Sequence, residues 1–164
     1  MQEHGVEPPV VPGSGRPWWA AIAATALVVV VVDQVTKAWA LTTLDDRTID
    51  LFWTLRLRLL FNTGSAFGFG SRFSPIIALV AVVVVLVLLR AGRALRGRPA
   101  LVAVGLVVGG AIGNLGDRVF REGGGLLGGA VVDFIDLQWC PVFNVADVAI
   151  CVGAVLLTVT AGRQ

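Results

Sequence analysis

The sequence predicts an all-α polytopic membrane protein with four transmembrane helices and a small extracytoplasmic β-sheet lying on the membrane surface. Hydrophobic residues make up 56% of the 164 residues, and only 15% of the residues are charged. The apolar residues form long blocks instead of the amphipathic stripes of soluble helices, which indicates that they face lipid. The net charge of +2 is too small to favour nucleic acid as a partner.

Four apolar blocks mark the predicted spans. They cover residues 18–32 (continuing as a helix through residue 37), 75–89, 100 to about 117, and 144 to about 161. Ser74 is predicted to be the N-cap of the second span, with Pro75 at its first helical position. The Pro- and Gly-rich residues 1–16 are predicted to be a disordered cytoplasmic leader, so residues 17–164 form a single four-helix transmembrane domain.

The charges of the connections predict the orientation. The short loop between the second and third spans contains four arginines and no acid: Arg90, Arg93, Arg96 and Arg98. Short loops rich in basic residues remain in the cytoplasm. Both termini are therefore predicted to be cytoplasmic, and connections 44–73 and 118–142 are predicted to face outward.

Both outward connections contain segments typical of strands. Leucines alternate with arginines over residues 55–59, which is the period-2 pattern of a half-buried strand. Val131–Ile135 is a second strand-like run. The aromatic residues Phe52 and Trp53 favour a sheet that rests on the membrane surface. The glycine-rich stretch before the second strand, at residues 122–130, predicts a flexible approach.

Polar residues at the ends of the spans are candidates for function, because ionisable groups are costly near hydrocarbon. Asp33 and Lys37 are four residues apart on one helix and can form an ion pair, either structural or close to a substrate. The third span carries a polar stripe at Gly110, Asn114 and Asp117, and Arg118 follows it. The glycines of this span can also serve packing alone.

Two further aspartates flank the start of the fourth span. Asn144 and Asp147 can be a capping pair, with Asn144 as the N-cap. Asp133, however, lies eleven residues before Asn144, with no basic residue between them. Two carboxylates in one site can share a proton and act as acid and base, as in an aspartic protease. No metal-ligand spacing is present, so neither a metal nor another cofactor is expected.

Five blocks of sequence resemble the lipoprotein signal peptidase (signal peptidase II) family. They are Asp33-Gln34-Val35-Thr36-Lys37, Phe61-Asn62-Thr63-Gly64-Ser65-Ala66-Phe67-Gly68, Gly110-Ala111-Ile112-Gly113-Asn114-Leu115-Gly116-Asp117-Arg118, Val132-Asp133-Phe134-Ile135 and Phe143-Asn144-Val145-Ala146-Asp147. The resemblance implies that Asp133 and Asp147 are the catalytic pair. It implies that the site is framed by Asp33, Lys37, Asn62, Gly110, Asn114, Asp117, Arg118 and Asn144. Relative to the family, the glycine-rich stretch at 122–130 lengthens the path from Arg118 to Asp133.

The resemblance also implies a reaction and a location. Members of this family remove the signal peptide from diacylglyceryl-modified prolipoproteins by cutting before the lipidated lipobox cysteine. The expected partners are these prolipoproteins and membrane lipids, and the expected state is a monomer. The expected location is the bacterial cytoplasmic (inner) membrane, with the active site at the extracytoplasmic face.

Two other functions are compatible with intramembrane aspartates. A different intramembrane aspartyl protease of the G-x-G-D type would need glycine where this chain has Asn114. A small proton-coupled transporter or channel could use Asp117 and Asp147 as a relay. It would place acids near the middle of the bilayer and would favour an internal repeat, whereas these acids lie at one face and no repeat is present.

The spacing and the surroundings predict details of the site. Asp136 lies three residues after Asp133, so on an extended strand its side chain points to the opposite face. Asn62, Asn114 and Asn144 are expected to face the aspartate pair, and Arg118 is expected to be held by buried acceptors. Asp147, at the start of a helix, is expected to be ionised, while Asp133, among apolar residues, is expected to be protonated.

Overall fold

The computed structural model describes residues 17–64, 74–95, 97–121 and 127–162. The predicted leader at 1–16, residues 65–68 of the second motif and the glycines at 123–125 lie outside the described residues. The described chain forms four helices and three strands. In chain order they are α1 (Trp18–Thr43), β1 (Ile49–Phe52), β2 (Leu55–Asn62), α2 (Ser74–Gly92), α3 (Arg98–Phe120), β3 (Val131–Asp136) and α4 (Val145–Ala161).

Three of the described helices, α1, α2 and α3, are long and apolar enough to cross a membrane. On α2 the residues Ile76, Leu79, Val80, Leu86 and Val87 are all more than half exposed. Apolar surface of this extent is favourable only against lipid. The chain is therefore a membrane protein. The fourth helix, α4, is apolar but has 17 residues and is the shortest of the four.

The helix α3 lies at the centre of the bundle and packs against α1 on one side and α4 on the other. Glycines allow both contacts. A Cβ atom on Gly109 would lie 2.8 Å from the carbonyl oxygen of Ala26 in α1, and one on Gly110 would overlap the carbonyl oxygen of Ala146 in α4. Small residues let helix backbones approach closely in membranes, where packing replaces the hydrophobic effect.

The three strands form an antiparallel sheet in the order β1-β2-β3. Arg56 of β2 pairs with Asp136 of β3, and Leu60 pairs with Asp133. One face of the sheet packs on the end of α1, where Ala40, Leu44 and Phe134 form a buried cluster with half-buried leucines of β2. The sheet therefore sits directly over the C-terminal end of α1.

Several predicted boundaries need correction. The helix α1 continues to Thr43, well past Lys37. The strand β1 was not predicted, because it has only four residues and most of them are exposed. Ser74 was predicted to be an N-cap, but it is the first helical residue of α2. Its hydroxyl accepts a hydrogen bond from Arg118 and donates to the carbonyl of Leu127, so it serves tertiary contacts.

The close contact between α3 and α4 generates a prediction about stability. Gly110→Ala should lower the free energy of unfolding by about 1–3 kcal/mol, because the added methyl group pushes α4 away. Gly116→Ala is a matched control on the same helix, since a Cβ atom there has no neighbour within 4 Å. The control should be neutral or raise stability by up to about 1 kcal/mol. Thermal unfolding of both variants in one detergent would test this, and equal melting temperatures would contradict it.

Candidate active site

The side chain of Lys37 is the centre of a fully buried ionic cluster. Its Nζ lies 2.8 Å from Oδ2 of Asp33 and 2.8 Å from Oδ2 of Asp117. The same Nζ donates to Oδ1 of Asn114 at 2.9 Å. An ammonium group has three protons to donate, so these three acceptors use its full capacity. A buried cation needs this complete pairing, because desolvation would otherwise cost several kcal/mol.

The two carboxylates of the cluster connect α1 and α3 to two other elements. Oδ1 of Asp33 accepts a hydrogen bond from the backbone N–H of Ala146 in α4 at 3.0 Å. Oδ2 of Asp117 accepts from the backbone N–H of Val132 in β3 at 3.2 Å, and its Oδ1 pairs with Nε of Arg121 at 2.8 Å. The cluster thereby joins α1, α3, β3 and α4.

Lysine sets the direction of the neighbouring amide groups. Because Lys37 can only donate, Asn114 presents Oδ1 to it, and Nδ2 of Asn114 then donates to Oδ1 of Asp147 at 2.8 Å. Nδ2 of Asn144 donates to Oδ1 of Asn114 at 3.0 Å and to Oδ1 of Asp133 at 2.6 Å. Each of the two aspartates therefore receives an amide N–H.

Asp133 and Asp147 line one cavity of about 350 Å³. Asp133 lies on β3, is almost fully buried, and accepts a second hydrogen bond from Nδ2 of Asn62 at 2.9 Å. Asp147 lies in the first turn of α4, where its Oδ2 accepts from the backbone N–H of Asn144 at 3.1 Å. Asn144 returns this contact by accepting from the backbone N–H of Asp147 at 3.0 Å, so the pair is also a capping box. Asp147 therefore takes part in the helix cap and also lines the cavity with Asp133, so the two interpretations of this segment are compatible.

The two aspartates have different surroundings. Burial raises the pKa of Asp133 to about 6, and the nearby charge of Asp147 acts in the same direction, while the hydrogen bonds from Asn62 and Asn144 oppose it. Asp147 lies where the free N–H groups of the first turn of a helix favour negative charge. Of the two aspartates, Asp133 is therefore the one whose burial favours the protonated form.

Arg118 forms part of the wall of the same cavity and is buried. Its NH1 donates to Oγ of the fully buried Ser74, and Ser74 donates to the carbonyl of Leu127 at 3.0 Å. The guanidinium is thus held by a polar group instead of extending into lipid. This contact also connects α3 to the start of α2.

Asp136 lies apart from the cavity with the two aspartates. Its Oδ2 is 2.8 Å from Nε of Arg56 and 3.1 Å from Nε of Arg58. Burial acts to raise the pKa of Asp136, but the hydrogen bond and charge of Arg56, with that of Arg58, hold the pKa below its ordinary value. Asp136 therefore forms a structural ion pair on the opposite side of β3 from Asp133.

Sequence reasoning missed two polar contacts and left the role of Gly110 open between packing and the site. Gly110 lies in the contact between α3 and α4 and has a packing role, because the space beside it is filled by Ala146. Gln34 was quoted within a motif without a role, yet its Nε2 donates to Oδ2 of Asp33 at 3.2 Å and to the carbonyl of Gly113 at 3.2 Å. Arg121 lies four residues after its partner Asp117, and this helical spacing could have revealed the pair.

No group of three or more His, Cys, Asp or Glu side chains that could hold a metal is found in residues 17–64, 74–95, 97–121 and 127–162. The ionic contacts of the cluster are made by lysine and arginine. The polar groups that line the cavity are two carboxylates, the amides of Asn62 and Asn114, and the guanidinium of Arg118.

The fold and the cavity, with the buried Asp133 and the partly buried Asp147 at the end of a bundle of apolar helices, are those of a membrane peptidase, and comparisons with known proteins agree. The sequence profile of the family described as "Signal peptidase (SPase) II" matches residues 25–162. The chain belongs to the signal peptidase II family of peptidases.

Relatives share this assignment, and a solved structure of a bacterial membrane enzyme has a similar fold. The lipoprotein signal peptidase of Streptomyces coelicolor is 45% identical over 109 residues, which are 66% of this chain and 53% of that protein. That of Rhodococcus jostii is 44% identical over 80% of this chain and 67% of its own length. The solved structure of a bacterial membrane enzyme, determined by the in meso method at 2.3 Å resolution, has a TM-score of 0.74 and 27% identity over 88% of each chain. The alignment thus spans about half of the first relative and two thirds of the second.

The ionic cluster generates a prediction about folding. Lys37→Met should lower the free energy of unfolding by about 3–5 kcal/mol, because it leaves the buried carboxylate of Asp33 without a cation and that of Asp117 with Arg121 alone. Arg121→Met is the matched control, since Arg121 pairs with the same Asp117 but is partly exposed. The control should cost about 1 kcal/mol or less. Folded yield and thermal unfolding in detergent measure both effects, and similar losses in the two variants would show that the buried ammonium is not the main contributor.

Proposed function

We propose that this chain is an aspartic endopeptidase that removes the signal peptide from diacylglyceryl-modified prolipoproteins by cutting before the lipidated cysteine. The observation that carries the proposal is the meeting of Asp133 and Asp147 in one cavity, in a chain of the signal peptidase II family. The relatives from Streptomyces and Rhodococcus are named lipoprotein signal peptidases, which supports this substrate class.

The two carboxylates divide the chemistry of hydrolysis. Asp147, as the base, takes a proton from a water molecule, and the water oxygen attacks the scissile carbonyl carbon. Asp133, as the acid, gives its proton to the carbonyl oxygen, which forms a neutral tetrahedral intermediate. When the intermediate collapses, the C–N bond breaks and the proton held by Asp147 passes to the leaving amine of the cysteine. One hydroxyl of the intermediate returns a proton to Asp133, which leaves a carboxylic acid on the signal peptide and restores both aspartates to their starting states. The N–H donors of Asn114 and Asn144 orient the carboxylates throughout.

The walls of the cavity suit a substrate that is anchored in lipid. Beyond the aspartates they are apolar and come from α2, α3 and α4, with Ile77, Val84, Val107 and Ile150 among them. The helix α2 packs mainly on α3, so the cavity lies between α2 and α4. We propose that the hydrophobic signal peptide and the acyl chains enter here from the bilayer, while the polar end of the cavity holds the scissile bond.

The proposed arrangement in the membrane has four spans, including α4. Its 17 residues correspond to about 25 Å of helix, which is at the lower limit for a span. The arginine-rich turn between α2 and α3 lies in the cytoplasm of a bacterial inner membrane, with both termini, and the sheet and the aspartates face outward. The protein acts as a monomer. A membrane-impermeant thiol reagent should label a cysteine placed at Asp50 but not one placed at Arg93, and the reverse pattern would overturn this orientation.

The transporter alternative is not favoured by the contacts. Asp117, one of the two acids of the supposed relay, is held by Lys37 and Arg121 and has no free position for a mobile proton. The first relatives are named as peptidases.

The aspartic mechanism generates a prediction about activity. Asp133→Asn and Asp147→Asn should each reduce kcat by at least about 10³-fold, because the amide neither accepts nor donates the proton that moves. Asp50→Asn, an exposed aspartate on β1, is the matched control and should leave kcat unchanged. Cleavage of a diacylglyceryl peptide, followed by mass spectrometry, gives both the rate and the position of the cut. Residual activity near the wild-type level in either variant would exclude the pair as the catalytic acid and base.

The raised pKa of Asp133 generates a prediction about pH. Asp133 must be protonated to act as the acid, and above its pKa of about 6 this proton is lost. The value of kcat/KM should therefore fall as the pH rises through about 6, with the limb reporting a macroscopic pKa of the coupled pair. Initial rates between pH 4 and about 8.5 in one detergent would measure it. An activity that rises across this interval would reverse the assignment of acid and base.

A further inference from the structure

A second cavity lies beside the candidate active site, along β2 and the segment that follows β3. Its volume is about 510 Å³, and its polar lining includes Arg56, Arg58, Asn62, Asp136 and Gln138. Asn62 belongs to both cavities, and its Nδ2 donates to Oδ2 of Asp133 at 2.9 Å. A chain that leaves the aspartate pair past Asn62 therefore enters this second cavity directly.

The two arginines give the second cavity a positive charge. Both direct Nε to the same oxygen, Oδ2 of Asp136, at 2.8 Å and 3.1 Å. The carboxylate is buried, whereas the side chains of Arg56 and Arg58 are 32% and 43% exposed. Among the residues that line this cavity, two guanidinium groups and one carboxylate give a net charge of +1, and Asp50, which lies opposite Arg56 on β1, is outside this lining. Asp136 therefore orients the two cations while their outer edges face the cavity.

We propose that this second cavity binds the segment of the substrate that follows the lipidated cysteine, and that it favours acidic side chains in that segment. The proposal rests on the function proposed above and adds a substrate preference to it. Continuity through Asn62 supplies the route, and the unbalanced positive charge supplies the selectivity. The first cavity has apolar walls and would hold the signal peptide, so the two parts of the substrate would lie on opposite sides of the aspartates.

The spacing of residues along β2 determines which position of the substrate would lie next to each arginine. Arg58 is four residues from Asn62 along the strand, or about 13 Å at 3.3 Å per residue. An extended substrate covers the same distance in about four residues. An acidic residue near the fourth position after the cysteine would therefore lie next to Arg58, and one near the sixth position would lie next to Arg56.

The test uses three synthetic diacylglyceryl peptides that differ only at the fourth position after the cysteine, where they carry Asp, Ser or Lys. With the full-length protein in a neutral detergent at low salt, KM should be about two- to fivefold lower for the Asp peptide than for the Lys peptide, and this ratio should shrink as salt is added. Arg58→Gln should bring the ratio towards one, and Arg58→Glu should invert it. Arg56 still pairs with Asp136 in both variants, which preserves the ion pair.

Arg47→Gln is the matched control. Arg47 is an exposed arginine whose Nε donates to the carbonyl of Thr43, outside the second cavity, so its removal changes the net charge equally and should leave the ratio as in the wild type. Equal KM values for the three peptides in the wild type would overturn the proposal. A KM ratio that survives Arg58→Gln would also overturn it. So would an effect of Arg58→Gln on KM that appears only when anionic lipid is added and is the same for all three peptides, which would indicate a site for a lipid headgroup. If the wild type cut none of the peptides, the proposed function itself would fail, and the preference would fall with it.

Discussion

The buried ammonium of Lys37 is the interaction on which the rest of the structure depends. It lies between carboxylates of α1 and α3, and those same carboxylates accept hydrogen bonds from backbone N–H groups of α4 and β3. A cation with no exposed surface is tolerated in a protein only when every proton has an acceptor. Here that requirement places four elements of the fold in fixed relation to one another.

The same ammonium has a chemical effect at a distance. Because it can only donate, it determines which way Asn114 points, and Asn114 in turn determines the donor that Asn144 presents to Asp133. The direction of the hydrogen bonds therefore runs from the lysine towards the two aspartates. The aspartates receive similar amide donors, so their difference arises from their elements: a buried strand for Asp133 and the first turn of a helix for Asp147.

Local signals predicted most of the helices and strands, whereas contacts between distant residues were harder to foresee. Hydropathy located the four helices, and the spacing of Asp33 and Lys37 predicted their pair, because both signals are contained in a few turns. The meeting of Asp133 with Asp147 was inferred from their shared location and from the resemblance. The contact of Ser74 with Arg118 spans 44 residues and left no local pattern, so the hydroxyl was assigned to a cap. The pairing of Arg56 with Asp136 likewise depends on a strand register that alternation alone does not specify.

The spacing of the charges within each helix also bears on how the protein is made. Asp33 and Lys37 neutralise each other on one face of α1 before any later part of the chain exists. The helix α3 brings Asp117 together with Arg118 and, four residues after the aspartate, Arg121 at its end. These two helices therefore have their own counter-ions when they leave the ribosome. Each of the two can then enter the bilayer with its ion pair already formed, and the contact of Lys37 with Asp117 that joins the two pairs forms when the helices assemble within the membrane.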